Sequence, residues 1–337
     1  MANLRFCTVH SFRYQLIRLA ISYFCVFNFT AKCSSVLPRA AGAQYTSLIT
    51  FGDSFTSNGR NADPLMNELY APLGEKGRAV NWPNIFLKDV NSTGTAAKLY
   101  NYAFNGAPAN SNLTYMGIVP DTRTQIEMFM TDSKAGKIDR GGGRVLYTMW
   151  VGINPLKSIW FDACDPQRNG GKGAQHPTDP LFVKAVQRVQ QEIDEVSYQM
   201  NRLRSISTVD KYVVITVPDL SDAANFQDAI KVWTKGDVTK AKDLVKLLQL
   251  LTQQYNKGLR SVITTSNTFL YDISNLWNSI RSSPQKYGFK NVTGRCYDAN
   301  KVVCSNPDEY LYWDHIHPTP HAHRLIGNDI YRFAEAL

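Results

Sequence analysis

Two short segments near opposite ends of the chain hold residue types that can do chemistry together: Phe51-Gly52-Asp53-Ser54-Phe55 and Trp313-Asp314-His315-Ile316-His317-Pro318. A serine hydroxyl is a weak nucleophile at neutral pH. It needs a neighbouring base to take its proton, and that base needs a third group to hold its tautomer. Ser54, His317 and Asp314 can fill those three roles, so nucleophilic acyl transfer is the chemistry to look for. In isolation each has a blander explanation, Ser54 as a strand-to-loop turn residue and Asp314 as a turn or cap aspartate. Asp53 is expected to organise its loop by hydrogen bonds and need not react.

The elements that must bring these segments together alternate in type. Tyr45 to Phe51, Ala97 to Phe104, Arg144 to Val151, Lys211 to Val217 and Thr268 to Ile273 read as strands, with a nearly continuous apolar character that suits strands covered on both faces. Pro180 to Arg204 carries Phe182, Val186, Val189, Ile193, Val196, Met200 and Leu203 at helical spacing, and Thr239 to Ile263 repeats the pattern. Thr319-Pro320 is a cap and first-turn pair for a last helix running to about Ala336. Alternation of this kind predicts an α/β fold, a three-layer α/β/α sandwich with a mainly parallel five-stranded sheet. Active residues in such sheets lie on loops at the carboxyl ends of strands. Gly52, Gly152 and Pro218 mark those exits.

Four blocks then fall at loops in order: Gly52-Asp53-Ser54, Tyr102-Ala103-Phe104-Asn105-Gly106-Ala107, Trp150-Val151-Gly152-Ile153-Asn154 and Asp314-His315-Ile316-His317. Their order and context resemble the SGNH hydrolases, also called GDSL esterases and lipases, whose four letters would fall on Ser54, Gly106, Asn154 and His317. The resemblance implies a flavodoxin-like fold and no cofactor. It implies Ser54 as nucleophile, His317 as base then acid, and Asp314 as the group that orients His317. It also implies an oxyanion hole of the Ser54 and Gly106 backbone N–H groups and the Asn154 amide. The family's third block usually continues Gly-x-Asn-Asp, and here Pro155 follows Asn154. Proline is expected to bias Asn154 away from helical backbone angles. A competing elbow, Gly-x-Ser-x-Gly, fails because Thr56 stands where the second glycine should.

Other chemistries find less support. His315, His317, His321 and His323 could suggest zinc, but Pro318 and Pro320 keep His317 and His321 off a shared helix face, and no metal site is expected. His321 and His323 are expected as surface residues of an early helix turn, and His315 as a loop residue. No glycine-rich segment has the spacing of a phosphate cradle. Tryptophans default to core packing, but Trp160 and Trp313 lie near the blocks and are candidates to line a sugar-binding cleft.

The formal charge of +9 is inflated by residues 1–43, which carry Arg5, Arg13, Arg18, Lys32 and Arg39 and no acid; without them 32 basic residues face 28 acidic ones, a net of +4. That is too mild to argue for nucleic acid or an anionic membrane. The same leader holds a short apolar run, Leu19 to Phe29, and Ala41-Gly42-Ala43 before Gln44, the pattern of a secretory signal or propeptide over 1–43, with one hydrolase domain over 44–337. The run is too short to span a bilayer, which takes about 20 residues. Asn91, Asn112 and Asn291 stand in glycosylation acceptors. Cys296 and Cys304 are close enough in sequence to bridge, leaving Cys164 buried or free. The segments Phe51 to Thr56, Asn81-Trp82-Pro83 and Asn306 to Asp314 most resemble fungal carbohydrate acetylesterases, which implies removal of acetyl groups from plant cell-wall sugars. The expectation is therefore a secreted, monomeric serine esterase acting on acetylated oligosaccharides or small esters. A lipase for longer acyl chains and a catalytically retired carbohydrate-binding relative are the alternatives.

Overall fold

The computed structural model describes residues 45–58, 81–298, 300 and 302–337. The secretory-leader and cleavage-site readings fall outside those residues.

One sheet holds five parallel strands in the order β2-β1-β3-β4-β5. They are β1 (Tyr45–Gly52), β2 (Lys98–Asn101), β3 (Arg144–Trp150), β4 (Lys211–Ile215) and β5 (Thr268–Tyr271). Along β1 only Thr46 is partly exposed, and along β3 only Arg144, which accounts for their nearly continuous apolar character. From β1 the chain steps to β2 on one side, then crosses to β3 on the other. Loops leaving β1 and β3 therefore diverge and open a crevice at their carboxyl ends.

Helices cover both sides of the sheet. They are α1 (Trp82–Asn91), α2 (Thr122–Lys134), α3 (Ile153–Cys164), α4 (Pro180–Arg204), α5 (Ala224–Thr234), α6 (Val238–Leu259), α7 (Ile273–Ser282) and α8 (Pro320–Glu335). α1 packs on α8, while α4 packs on α3 and α6. α4 keeps its expected bounds and buries Phe182, Val189, Ile193, Val196, Met200 and Leu203. α8 starts as its cap predicts: Thr319 accepts the Ala322 N–H at 3.2 Å, with Pro320 in the first turn.

A second, two-stranded sheet of β6 (Asn291–Arg295) and β7 (Tyr310–Tyr312) lies beyond what the sequence patterns announced. β6 is a polar run that is nowhere fully buried, and β7 has only 3 residues, so neither stands out as an apolar strand. The disulfide between Cys296 and Cys304 follows β6 directly. Beside it the Tyr297 N–H donates to the Trp313 carbonyl at 2.6 Å, and the two rings stack with centroids 5.4 Å apart. This braces the chain immediately before Asp314. Cys164 is both buried and free, and burial pushes its thiol up to about 12, which leaves it unreactive. Asn91 and Asn112 are exposed; Asn291 is half-buried, its side-chain oxygen accepting from the Thr293 and Gly294 N–H groups. Among the described residues no helix is long and apolar enough to cross a membrane.

Candidate active site

Gly52 ends β1 with φ +150°, and a Cβ there would lie 2.2 Å from the Trp150 carbonyl oxygen. Only glycine lets β1 leave the sheet so close to β3. The turn that follows is pinned from several elements. The Phe55 N–H donates to Asp53 Oδ1 at 3.0 Å. The Asn81 amide donates to the Thr56 and Ser57 carbonyls at 3.1 and 2.7 Å, and the Asn101 amide donates to the same Thr56 carbonyl at 2.7 Å. Asn81 also caps α1, so Asn81-Trp82-Pro83 both starts a helix and holds the turn that carries Ser54.

His317 reaches this turn from the loop before α8. Its Nε2 lies 2.8 Å from Ser54 Oγ, and its Nδ1 lies 2.8 and 3.0 Å from Asp314 Oδ2 and Oδ1. Asp314 Oδ1 further accepts the backbone N–H groups of Ile316 and His317 at 2.9 and 2.8 Å. α5 supports the same loop, its Asn225 N–H donating to the His315 carbonyl at 2.9 Å. Burial on its own would raise the Asp314 carboxyl. The charge and hydrogen bonds of His317 outweigh it and hold the carboxyl well below the usual carboxylate range.

Gly106 adopts φ +77°, the left-handed region that favours glycine. Its loop is stitched to both neighbouring blocks. The Phe104 N–H donates to the Gly52 carbonyl at 3.2 Å, and the Asn154 amide donates to the Ala107 carbonyl at 3.2 Å. Contrary to expectation, Asn154 is helical despite Pro155. Both lie in the first turn of α3, where a backbone N–H has no intrahelical partner to lose, and the turn still closes through Leu156 N–H to the Gly152 carbonyl at 2.9 Å. Among the described residues, neither the Ser54 nor the Gly106 backbone N–H has a hydrogen-bond partner. The Asn154 amide keeps a second hydrogen beyond the one given to Ala107.

Asp53 is wholly buried, and burial pushes its carboxyl up to about 7 against the pull of the Phe55 N–H, His317 and Lys157; among the described residues its Oδ2 has no partner. Lys157, one helical turn after Asn154, is held down by burial and drawn up by the Asp53 and Asp314 carboxylates.

Other sequence candidates lie elsewhere. Trp160 is fully buried, gives its indole N–H to the Leu244 carbonyl at 3.1 Å and packs with Phe161, Phe226 and Trp233. Trp313 is fully buried against Tyr297. Neither ring is open to a sugar, because each fills a gap between elements. His315 is a loop residue, as expected. His323 is not on the surface: it is buried, and burial pushes it down to about 3. The half-buried His321 approaches the Tyr287 carbonyl through Nε2 at 2.7 Å. Among the described residues no group of three His, Cys, Asp or Glu is arranged to hold a metal.

Sequence reasoning missed Gln125 on α2. It is wholly buried; its Oε1 accepts the Gly52 N–H at 2.9 Å, and its Nε2 donates to the Gly52 and Pro120 carbonyls at 2.9 and 3.0 Å. It joins the Ser54 strand to the loop after Gly106, and nothing in an amphipathic helix pattern marks it.

A parallel α/β/α domain with a serine, an imidazole and a carboxylate in one hydrogen-bonded line at its switch point has the layout of a hydrolase. The family model for GDSL-like lipases and acylhydrolases matches residues 48–330, and the chain belongs to this family of carboxylic ester hydrolases. It is 22% identical to an acetylesterase of Thermothelomyces thermophilus over 87% of this chain and 89% of that protein. It is likewise 22% identical to GDSL esterase/lipase 5 of Arabidopsis thaliana over 96% and 91%. The crystal structure of an extracellular lipase from Streptomyces rimosus is similar at a TM-score of 0.46 and 13% identity, covering 86% of this chain and 99% of that one.

Proposed function

We propose that the protein is a serine esterase that removes acetyl groups from plant cell-wall carbohydrate by an acyl-enzyme mechanism. The continuous hydrogen-bonded line Ser54–His317–Asp314 carries the reading. Ser54 Oγ attacks the acyl carbonyl while its proton passes to His317 Nε2. The tetrahedral intermediate collapses, and His317 gives that proton to the departing sugar oxygen. Water then repeats the sequence on the acyl-enzyme and releases acetate. Asp314, ionised throughout, supports the imidazolium that forms in each step. The unspent N–H groups of Ser54 and Gly106 and the second hydrogen of Asn154 receive the oxyanion. Each such donor is worth about 3–4 kcal/mol of barrier. Pro155 supplies no reason to retire the site, since it leaves Asn154 buried on the Gly106 loop.

Acetyl specificity draws on the acetylesterase relative, which aligns over most of both chains. A second reading, longer acyl chains, draws on Tyr115 and Ile118, 74% and 97% exposed on the loop that follows Gly106. The test is acetate release from acetylated xylo-, manno- and cello-oligosaccharides, beside hydrolysis of acetyl and long-chain nitrophenyl esters. Wild type is expected to release acetate and to label with a fluorophosphonate, and Ser54→Ala to do neither. A strong long-chain preference would favour the second reading, and labelled Ser54→Ala would refute the mechanism. Export draws on the leader and the acceptor asparagines, and predicts mature protein in the culture medium beginning near Gln44.

A further inference from the structure

α4 carries two kinds of buried surface. One is the apolar row that covers the sheet. The other is polar: Glu192, Glu195 and Gln199, spaced three and four residues apart and all buried. Side chains at that spacing share one helix face. Two carboxyl groups and an amide are costly to bury on a helix that only needs to cover strands.

Their partners lie on the loop that follows Gly106. Gln199 Nε2 donates to the Ala109 carbonyl at 2.8 Å and to Glu195 Oε1 at 2.8 Å, while its Oε1 accepts the Thr122 hydroxyl at 2.6 Å. The Asn110 amide donates to Glu195 Oε2 at 3.1 Å, and Arg123 pairs with both oxygens of Glu195. The Thr114 hydroxyl donates to Glu192 Oε1 at 2.6 Å. The orientation of the Gln199 amide is fixed at its Nε2 end, which meets only acceptors, the Ala109 carbonyl and Glu195; the Thr122 hydroxyl at its other end also reaches the Ala109 carbonyl at 3.2 Å. Ala109 lies three residues after Gly106 and two after Ala107, whose carbonyl accepts from Asn154.

We propose that Gln199 is a positioning residue for the oxyanion hole: through Ala109 and Thr122 it sets where the Gly106 N–H and the Asn154 amide point. This rests on the reading of Gly106 and Asn154 as oxyanion donors. Donors of that kind act on the transition state and hardly on the bound ester. A displacement of about 1 Å costs roughly a hundredfold in rate. The loss therefore falls on kcat and spares KM.

The test is Gln199→Met, which keeps the volume and removes both hydrogen-bonding ends, with turnover normalised to fluorophosphonate-titrated sites so that unfolded protein does not count. On nitrophenyl acetate, kcat per titrated site is expected to fall roughly 10- to 100-fold with KM within about twofold. Affinity for a short-chain trifluoromethyl ketone, whose adduct with Ser54 bears an oxyanion, is expected to fall by the same factor. Thr122→Val removes the hydroxyl that meets both Gln199 Oε1 and the Ala109 carbonyl and gives a smaller loss of the same kind; it serves if the first variant does not fold. Either variant with unchanged kcat per titrated site, or with the change confined to KM or melting temperature, overturns the positioning role. Retained esterase activity in Ser54→Ala would instead overturn the mechanism beneath it.

Discussion

At the scale of single residues, Asp314 does two jobs that can be separated. Its Oδ1 accepts two backbone N–H groups that shape the loop, and both its oxygens face His317 Nδ1. Asn keeps a carbonyl oxygen for the loop but loses the negative charge. Asp314→Asn is therefore expected to fold normally and to lose roughly 10³–10⁴-fold in kcat, because the imidazole is no longer held in the tautomer that leaves Nε2 free to accept from Ser54. Melting temperature and kcat measured together check this; a loss below about tenfold would reduce Asp314 to an orienting turn residue. These residue types, and their pairing across the chain, were readable from sequence because the chemistry restricts them to very few side chains. The contacts that hold them were not. Gln125 and Gln199 act through amide ends that any helix could carry, and only the fold shows that those ends meet Gly52, Pro120, Ala109 and Thr122.

At the scale of elements, the five main strands were legible from their nearly continuous apolar, β-branched runs, and the long helices α4 and α6 from an apolar spacing that repeats over many turns. The short elements were not. α3 escaped because its first turn contains Pro155, β6 because its Asn-Val-Thr-Gly-Arg run is polar and nowhere fully buried, and β7 because it has only 3 residues. The reading of Trp160 as cleft-lining failed for a related cause: nearness in sequence to a catalytic block does not say which face of α3 a ring lies on. The junction between β3 and α3 is where element geometry and site are most tightly joined. Gly152 adopts φ +133°, and a Cβ there would meet the Tyr255 ring at 2.5 Å and Val217 Cγ2 at 2.8 Å. Tyr255 has little freedom to retreat, since its hydroxyl donates to the Val151 carbonyl at 2.9 Å. Gly152→Ala is expected to cost on the order of 3 kcal/mol through strain and overpacking. It should also displace the start of α3, and Asn154 with it. Urea denaturation checks the first effect and kcat of the folded fraction the second; an alanine variant as stable and as active as wild type would show that this junction is not under constraint.

At the scale of the whole molecule, stability should depend on pH through acids the fold buries. Burial pushes the carboxyls of Asp53 and Glu192 up to about 7 each; the Phe55 N–H, His317 and Lys157 oppose the first, and the Thr114 hydroxyl and Arg188 oppose the second. In the unfolded chain both titrate near 4. Between about pH 4 and pH 7 the folded state therefore holds protons that the unfolded state has released. Stability contributed by each group is full below that window and falls as pH rises through it, by up to about 1.4 kcal/mol per unit. His323 works in the opposite sense. Burial pushes it down to about 3, so it favours the folded state above about pH 6.5 and penalises it as pH falls below that value. Wild-type melting alone would blend these terms, and the difference between variant and wild type separates them. Glu192→Gln keeps an acceptor for the Thr114 hydroxyl and cannot ionise, and Asp53→Asn keeps one for the Phe55 N–H. Relative to wild type, both variants should gain in melting temperature steadily from pH 5 to pH 7 and then level off. A difference that stays flat across that range would mean that both carboxyls ionise in the folded protein near their unfolded values, and that α4 and the Ser54 turn tolerate buried charge.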